Sequence, residues 1–227
     1  MEIAHKLNKI NQRIYQAATK AGRDPRKVKL LAVSKTIPAA VLLEAYKAGQ
    51  QDFAENRVQE WLNKVPELPA DCYWHIIGRL QTNKVKYLDQ RVSLIHSLDR
   101  LALLKRLEEH GARRDLVWPV LVQVNIARDD AKTGLLREEV ADFLIEALNY
   151  PHIRVNGLMT IGLFEADIQE TRGFFRDLRR LRDDLKKEFP KEFTLNELSM
   201  GMSQDFEIAI EEGATIVRVG REIFGER

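Results

Sequence analysis

The segment at residues 28–34, Val-Lys-Leu-Leu-Ala-Val-Ser, is the part of the sequence that most clearly indicates the fold. It is a short, mainly apolar run, which is typical of a strand buried in a parallel sheet. Seven similar runs follow along the chain, and amphipathic helical patterns separate them. Strands that alternate with helices favour a parallel α/β sheet. The eight predicted strands are Val28–Ser34, Gln51–Ala54, Tyr73–Ile77, Leu94–Ser97, Val120–Val124, Val155–Thr160, Leu195–Met200 and Thr215–Val219.

The number of predicted strands favours a closed barrel. Eight parallel strands with intervening helices form a (β/α)8 barrel, and 227 residues is within the usual length of that fold. The chain begins with isoleucine or leucine at positions 3, 7, 10 and 14, the spacing of one face of an amphipathic helix. We therefore predict an α/β fold, a single (β/α)8 TIM barrel domain over residues 1–227 with an extra N-terminal helix. The second and fourth strands are short, so an open doubly wound sheet is the alternative.

Helix boundaries are indicated at a few positions. Gly49, Gly111 and Gly213 each lie between a predicted helix and the next strand, so we expect the helices to end there. The residues Gln81-Thr82-Asn83-Lys84 follow the third strand, and we expect a helix to begin among them.

The composition excludes several classes of function. Hydrophobic residues make up 44% of the chain and charged residues 31%, and the net charge of +2 is too small to favour nucleic acid or an anionic membrane as a partner. The N-terminal residues carry charges throughout and resemble no signal peptide, and no apolar stretch is long enough to span a membrane. The single cysteine forms no internal disulfide, and the five histidines lack metal-ligand spacing. We expect a cytoplasmic protein without a metal site.

The C-terminal ends of the strands are where a barrel of this kind carries its site. Lys35 closes the first strand, next to apolar side chains that disfavour a charged ammonium group. An amine in such a place is typical of Schiff-base chemistry with a carbonyl compound. The alternative is an ordinary surface lysine at the end of a strand. His75, at the end of the third strand, is interpreted as a packed histidine at the barrel mouth.

The last two strands predict an anion site. Residues Ser199-Met200-Gly201-Met202-Ser203 end one strand and precede a helical segment, so backbone N–H groups and hydroxyls would be available to an anion. Residues Arg218-Val219-Gly220-Arg221 end the last strand and combine a glycine with fixed positive charge. In a barrel these two strand ends are neighbours, and a phosphate is often held there. Either segment by itself is also consistent with a simple tight turn.

These segments resemble, in order and over nearly the whole chain, the pyridoxal phosphate homeostasis proteins, the YggS/PROSC-type family. The fold of that family resembles the barrel domain of alanine racemase, in agreement with the strand count. The matching segments are Leu31–Thr36, Phe53–Glu60, Trp74–Lys84, Gly157–Thr160, Leu198–Phe206 and Arg218–Gly225.

The resemblance implies a role for each candidate residue toward the cofactor pyridoxal 5′-phosphate. Lys35 would hold the cofactor as a Schiff base, and Arg218 would face its pyridine nitrogen. Asn56 would lie beside the ring, and Met159 would line the pocket. The phosphate would be bound by backbone amides and a serine hydroxyl of three residues: Ser199, Met200 and Gly220. Many relatives have a threonine at the position of Arg221, so the role of that side chain toward the phosphate is open.

The resemblance also implies a function. The family is regarded as binding and delivering pyridoxal phosphate, with no established reaction, so we expect a carrier protein without catalytic residues. Its partners would be the cofactor and apo-enzymes that depend on it, and we expect a monomer. One alternative is a weak amino-acid racemase or a related enzyme that uses the same Schiff base. A second alternative, from the barrel alone, is a phosphosugar enzyme in which Lys35 attacks a substrate carbonyl.

Overall fold

Eight parallel strands close into a barrel in the order in which they occur along the chain. The computed structural model describes residues 2–162 and 166–225. Each strand pairs in parallel with the next one, and the last strand pairs with the first. The strands are β1 (Lys29–Val33), β2 (Asp52–Glu55), β3 (Tyr73–Ile76), β4 (Val92–Leu98), β5 (Trp118–Gln123), β6 (Ile153–Met159), β7 (Glu197–Ser199) and β8 (Ile216–Val219). The predicted α/β class and the (β/α)8 barrel are thus confirmed.

The helices surround this barrel. They are α1 (Glu2–Lys20), α2 (Ala39–Lys47), α3 (Val58–Lys64), α4 (Leu101–Arg114), α5 (Val140–Ala147), α6 (Ile168–Glu188), α7 (Phe206–Glu211) and α8 (Arg221–Phe224). The extra helix α1 packs against α2, α7 and α8 because its apolar stripe, with Leu7, Ile10 and Ile14, is buried. No helix among the described residues is both long and apolar enough to cross a lipid bilayer.

The expected end of one helix was wrong, and the type of another had not been specified. Helix α4 does not end at Gly111 but continues to Arg114, and Asp115 then takes the left-handed conformation that ends it, with φ 54°. Gly111 is needed for another reason, because a Cβ there would lie 2.5 Å from the carbonyl oxygen of Leu116. In the segment after β3 a helix begins at Thr82, as expected, and it is a 3₁₀ helix over Thr82–Tyr87. It buries only Val85, and so short an apolar stripe does not sustain a longer helix.

The barrel interior contains two kinds of side chain. Apolar residues from six strands form a small cluster inside the barrel, separate from the larger core between strands and helices. Its buried members are Leu31, Val33, Ala54, Leu94, Leu121, Met159 and Ile216. Polar side chains occupy the rest of the interior and continue toward the C-terminal ends of the strands. Since side chains alternate along a strand, Leu31, Val33 and Lys35 belong to the same side of the first strand and its continuation.

Candidate functional site

A cavity of about 730 Å³ opens at the C-terminal ends of the strands. Six of the eight predicted site residues line it: Lys35, Asn56, Met159, Arg218, Gly220 and Arg221. Lys35 and Arg218 come from opposite ends of the chain and are brought together because β8 pairs with β1 when the barrel closes. The structure therefore assembles most of the predicted residues around one space.

The turn that carries Lys35 is held in an uncommon conformation. Thr36 has φ 66°, a left-handed conformation that is unusual for a residue with a branched Cβ. Its backbone N–H donates to Glu60 Oε2 at 2.6 Å, and its hydroxyl donates to the carbonyl oxygen of Lys35. Backbone strain of this kind persists only where the surrounding contacts maintain it. Glu60, on α3, thus fixes the direction in which the chain leaves Lys35.

A buried ion pair between Lys64 and Glu55 also stabilises this turn. The Lys64 ammonium donates to Glu55 Oε1 at 2.7 Å and to the carbonyl oxygen of Ser34 at 2.8 Å. The Ser34 hydroxyl donates to the same carboxylate oxygen at 2.6 Å. Burial raises the pKa of Glu55, and the hydrogen bonds from Lys64 and Ser34 act in the opposite direction. These contacts fix the residue immediately before Lys35, and no motif in the sequence predicted them.

Arg218 is the charged group most deeply placed at the cavity. Its side chain is only 5% exposed, and it donates to Ser199 Oγ at 2.7 Å and to the carbonyl oxygen of Thr160 at 2.9 Å. Burial lowers the pKa of Arg218 to about 10, and the negative charge of Asp205 partly offsets this. The guanidinium therefore stays protonated at neutral pH and presents a fixed positive charge to the cavity.

Asn56 is positioned by a close backbone approach. Gly78 follows β3, and a Cβ atom built on it would lie only 2.3 Å from the carbonyl oxygen of Asn56. No side chain fits into that space, so glycine is required for the two segments to lie this close together. Both residues line the cavity. Asn56 was predicted as a site residue, whereas Gly78 was indicated only as part of the matching segment Trp74–Lys84.

Two predicted phosphate-binding residues lie outside the cavity lining. The Ser199 side chain is buried in the barrel, where its hydroxyl contacts His96 and Arg218, and the Met200 N–H donates to the carbonyl oxygen of Ile216. The interpretation that this hydroxyl and this amide hold the phosphate is therefore not supported by their positions.

Other groups are better placed to hold an anion. Ser203 and Gly220 line the cavity, and their N–H groups donate to no other described residue. Arg221 and Arg79 are exposed at the cavity rim. Ser203 belongs to the segment that predicted the anion site, but the phosphate contacts in that segment were assigned to Ser199 and Met200. Arg79 was indicated only as part of the matching segment Trp74–Lys84.

Asp205 is a further lining residue that the sequence did not single out. It lies at the start of α7 and accepts a hydrogen bond from the Met202 N–H. Burial raises the pKa of Asp205, and the Met202 N–H and the charge of Arg218 act against this shift. The cavity thus combines an amine, an acid and three arginines with unpaired backbone N–H groups. This arrangement suits a small anionic ligand that also carries a carbonyl group.

Comparison with known sequences agrees with this description. The profile of the family described as "Alanine racemase, N-terminal domain" matches residues 6–227. The pyridoxal phosphate homeostasis protein of Aquifex aeolicus is 45% identical over 228 residues, which cover 100% of this chain and 99% of the relative. The protein of the same name from Escherichia coli K12 is 36% identical and covers 100% of this chain and 97% of its own length.

Solved structures show the same similarity. PipY of Synechococcus elongatus PCC7942, with pyridoxal phosphate bound, is 35% identical and matches with a TM-score of 0.85 over 98% of this chain and 100% of its own. Alanine racemase from Corynebacterium glutamicum is 17% identical, with a TM-score of 0.68, and this chain covers 61% of it. The second likeness establishes the shared barrel fold alone.

Proposed function

The chain belongs to the pyridoxal phosphate homeostasis proteins, within the alanine racemase N-terminal domain family, and we propose that it binds pyridoxal 5′-phosphate and acts in its homeostasis. The observation that carries this proposal is that Lys35 and Arg218 line one cavity at the C-terminal ends of two neighbouring strands. An amine and a buried guanidinium lining one such space suit an aldehyde and a ring nitrogen. PipY, which has this fold, has been solved with the same cofactor bound.

The lining residues fit the cofactor in their charges and hydrogen-bonding groups. Lys35 would bind its aldehyde carbon as a Schiff base with loss of one water molecule. Asn56 and Met159 would contact the faces of the ring. Ser203 and Gly220 offer unpaired N–H groups to the phosphate, and Gly220 has no side chain to keep an anion away.

The chain's own residues limit the chemistry at this site. When bound, pyridoxal phosphate supplies an electrophilic carbon and an electron-withdrawing ring. Arg218 is positively charged, so a proton on a ring nitrogen beside it is disfavoured, and the ring withdraws electrons less strongly. None of the five tyrosines lines the cavity, so a tyrosine acid–base partner does not face it; they are Tyr15, Tyr46, Tyr73, Tyr87 and Tyr150. These features support binding and delivery as the role of the site.

The remaining parts of the proposal follow from the sequence. We take residues 1–227 as one cofactor-binding domain that acts as a monomer in the cytoplasm and delivers the cofactor to apo-enzymes. Six of these residues, at positions 1, 163–165, 226 and 227, lie outside the described part of the chain. A weak racemase activity is the alternative, because Lys35 and Asp205 are both titratable groups at the cavity.

Transfer to an apo-enzyme tests this function. The cofactor-loaded chain is mixed with an apo-enzyme that depends on pyridoxal phosphate, in the presence of a phosphatase that destroys the free cofactor. We expect the apo-enzyme to regain activity with the loaded chain and not with an equal amount of free cofactor. Lys35→Ala should abolish delivery, whereas Lys105→Ala, an exposed lysine on α4, should not change it. If alanine exchanges its α-proton in deuterated water with the wild type but not with Lys35→Ala, the enzyme alternative is correct.

A further inference from the structure

A continuous line of polar side chains crosses the barrel interior and ends at Arg218. It begins at Asp52, whose Oδ1 lies 3.1 Å from His75 Nε2. His75 Nδ1 lies 3.1 Å from His96 Nε2, and His96 Nδ1 lies 2.9 Å from Ser199 Oγ. Ser199 Oγ accepts from Arg218 at 2.7 Å. The line thus joins β2, β3, β4, β7 and β8, and we call these five residues the polar chain.

The polar chain is buried where polar groups are costly. His75, His96 and Ser199 are each at most 2% exposed, and the apolar cluster of the barrel interior contains their neighbours Ala54 and Leu94. A buried polar group without a hydrogen-bond partner destabilises a protein, so each of these contacts matters for folding. Nothing in the binding of the cofactor by Lys35 and the lining residues explains why two histidines lie here. In the part of the chain that the structure describes, no His, Cys, Asp or Glu cluster is arranged to hold a metal ion.

The two end residues of the polar chain determine the direction in which its hydrogen bonds are donated. A guanidinium only donates hydrogen bonds and an ionised carboxylate only accepts them. Once Arg218 has donated to Ser199, three hydrogen bonds remain to be assigned: Ser199 to His96, His96 to His75, and His75 to Asp52. Ser199 and each neutral histidine have one proton to donate, so three protons serve three hydrogen bonds. With both histidines neutral, the only complete assignment has Ser199 donating to His96 Nδ1, His96 Nε2 donating to His75 Nδ1, and His75 Nε2 donating to Asp52. Each histidine then carries its single proton on Nε2.

The charged surroundings agree with neutral histidines. Burial lowers the pKa of His75 despite its hydrogen bond to Asp52, with Lys29 adding to the lowering and Glu197 opposing it. Burial lowers the pKa of His96 well below its usual value, and the positive charges of Arg218 and Lys29 act in the same direction. Burial tends to raise the pKa of Asp52, but His75 and Lys29 outweigh it and keep the carboxylate ionised.

We propose that His75 and His96 are positioning residues for the cofactor site, which orient the Ser199 hydroxyl so that its oxygen accepts from Arg218 and holds the guanidinium at the cavity. The proposal rests on the proposed function, in which Arg218 faces the ring of pyridoxal phosphate. With its proton committed to His96, Ser199 turns its lone pairs toward Arg218. Without the hydrogen bond to His96, the Ser199 hydroxyl can rotate away from this orientation. Of the two hydrogen bonds described for the Arg218 side chain, only the one to the carbonyl oxygen of Thr160 is then retained. Asp52, at the opposite end of the barrel, thus accepts the last hydrogen bond of the polar chain, whose other end, Arg218, lines the cavity.

The first experiment uses the cofactor-free chain and does not depend on the proposed function. The protein is labelled with ¹⁵N in its histidine rings, and His75 and His96 are assigned with single-site variants. We expect both rings at neutral pH to show a protonated Nε2 and an unprotonated Nδ1. A protonated Nδ1 on either ring would reverse a link of the polar chain and overturn the proposal.

The second experiment measures cofactor affinity together with the pH dependence of the visible band of the bound cofactor. We expect His96→Leu and Ser199→Ala to raise the Kd for pyridoxal phosphate by about tenfold or more and to shift that pH profile. His96→Gln, which retains one acceptor and one donor, should recover part of the affinity. His110→Leu is the matched control, because His110 is also buried but packs on Trp118 outside the polar chain.

The outcomes of the second experiment separate the two proposals. Wild-type affinity and pH profile in folded His96→Leu and Ser199→Ala would show that the polar chain does not position Arg218. An equal loss in His110→Leu would point to general destabilisation and would also overturn the proposal. A wild-type chain that binds no pyridoxal phosphate would contradict the proposed function, whereas the histidine tautomers would still decide the direction of the polar chain. If His96→Leu does not fold, Ser199→Ala and the tautomers decide.

Discussion

Replacing Gly78 with alanine would place a methyl group against the backbone of Asn56. The new Cβ would lie 2.3 Å from the carbonyl oxygen of Asn56 and 2.8 Å from its Cα, and normal contact requires about 1 Å more. Both neighbours are backbone atoms, so no side-chain rotation relieves the clash. Overpacking of this kind costs about 2–3 kcal/mol, and in a chain of this length Tm should fall by roughly 5–10 °C. The clash is relieved only if the backbone of Asn56 moves, so the Kd for pyridoxal phosphate should also rise at least about fivefold.

Gly173→Ala provides the matched control for this substitution. Gly173 lies inside helix α6, and a Cβ there would meet nothing within 4 Å. The same chemical change should therefore stabilise the chain by about 0.5–1 kcal/mol and leave cofactor binding unaltered. Thermal unfolding and a spectroscopic titration with the cofactor measure both effects. A Gly78→Ala variant as stable as wild type, with unchanged affinity, would refute the argument that glycine is needed to position Asn56.

Three further predictions concern buried charge, pH and the phosphate. Lys64→Ala leaves the Glu55 carboxylate buried without its partner and should lower the free energy of unfolding in urea by about 3–5 kcal/mol; a loss below about 1 kcal/mol would contradict this. The pKa values of His75 and His96 are lowered by burial, so the unfolded state binds more protons below about pH 6.5. Stability should therefore fall with falling pH, by up to about 1.4 kcal/mol per pH unit for each histidine, and the slope should be shallower in His96→Leu. Arg221→Ala should weaken the binding of pyridoxal phosphate about threefold to tenfold and leave that of pyridoxal unchanged, since only the former carries a phosphate; equal losses for both ligands would place this side chain away from the phosphate.

The strands could be predicted from the sequence because a parallel barrel buries them on both faces. All eight predicted runs overlap an observed strand, including the short second and fourth ones. The location of Lys35, Arg218 and Gly220 at one cavity then followed from topology, because the C-terminal ends of parallel strands meet at one end of a barrel. Local sequence and the order of the strands therefore sufficed to predict the barrel and the location of these three residues.

The contacts between side chains inside the barrel could not be predicted in the same way. His75 meets His96 because the register between β3 and β4 shifts at Trp74 and His75, and no residue in the sequence signals that irregularity. Ser199 was expected at the phosphate, but strand alternation turns its side chain into the barrel. The contact of Lys64 with Glu55 depends on how α3 packs on β2, which hydrophobic periodicity alone does not specify.

Borohydride reduction of the chain loaded with pyridoxal phosphate, followed by peptide mass mapping, shows which residue holds the cofactor. We expect a yellow protein whose visible band is bleached by reduction, with a pyridoxyl mass on the peptide that contains Lys35. Lys35→Ala should give no such adduct, whereas Lys105→Ala should give the wild-type result. A protein that stays colourless with added cofactor, or an adduct on another lysine, would contradict the assignment of this site.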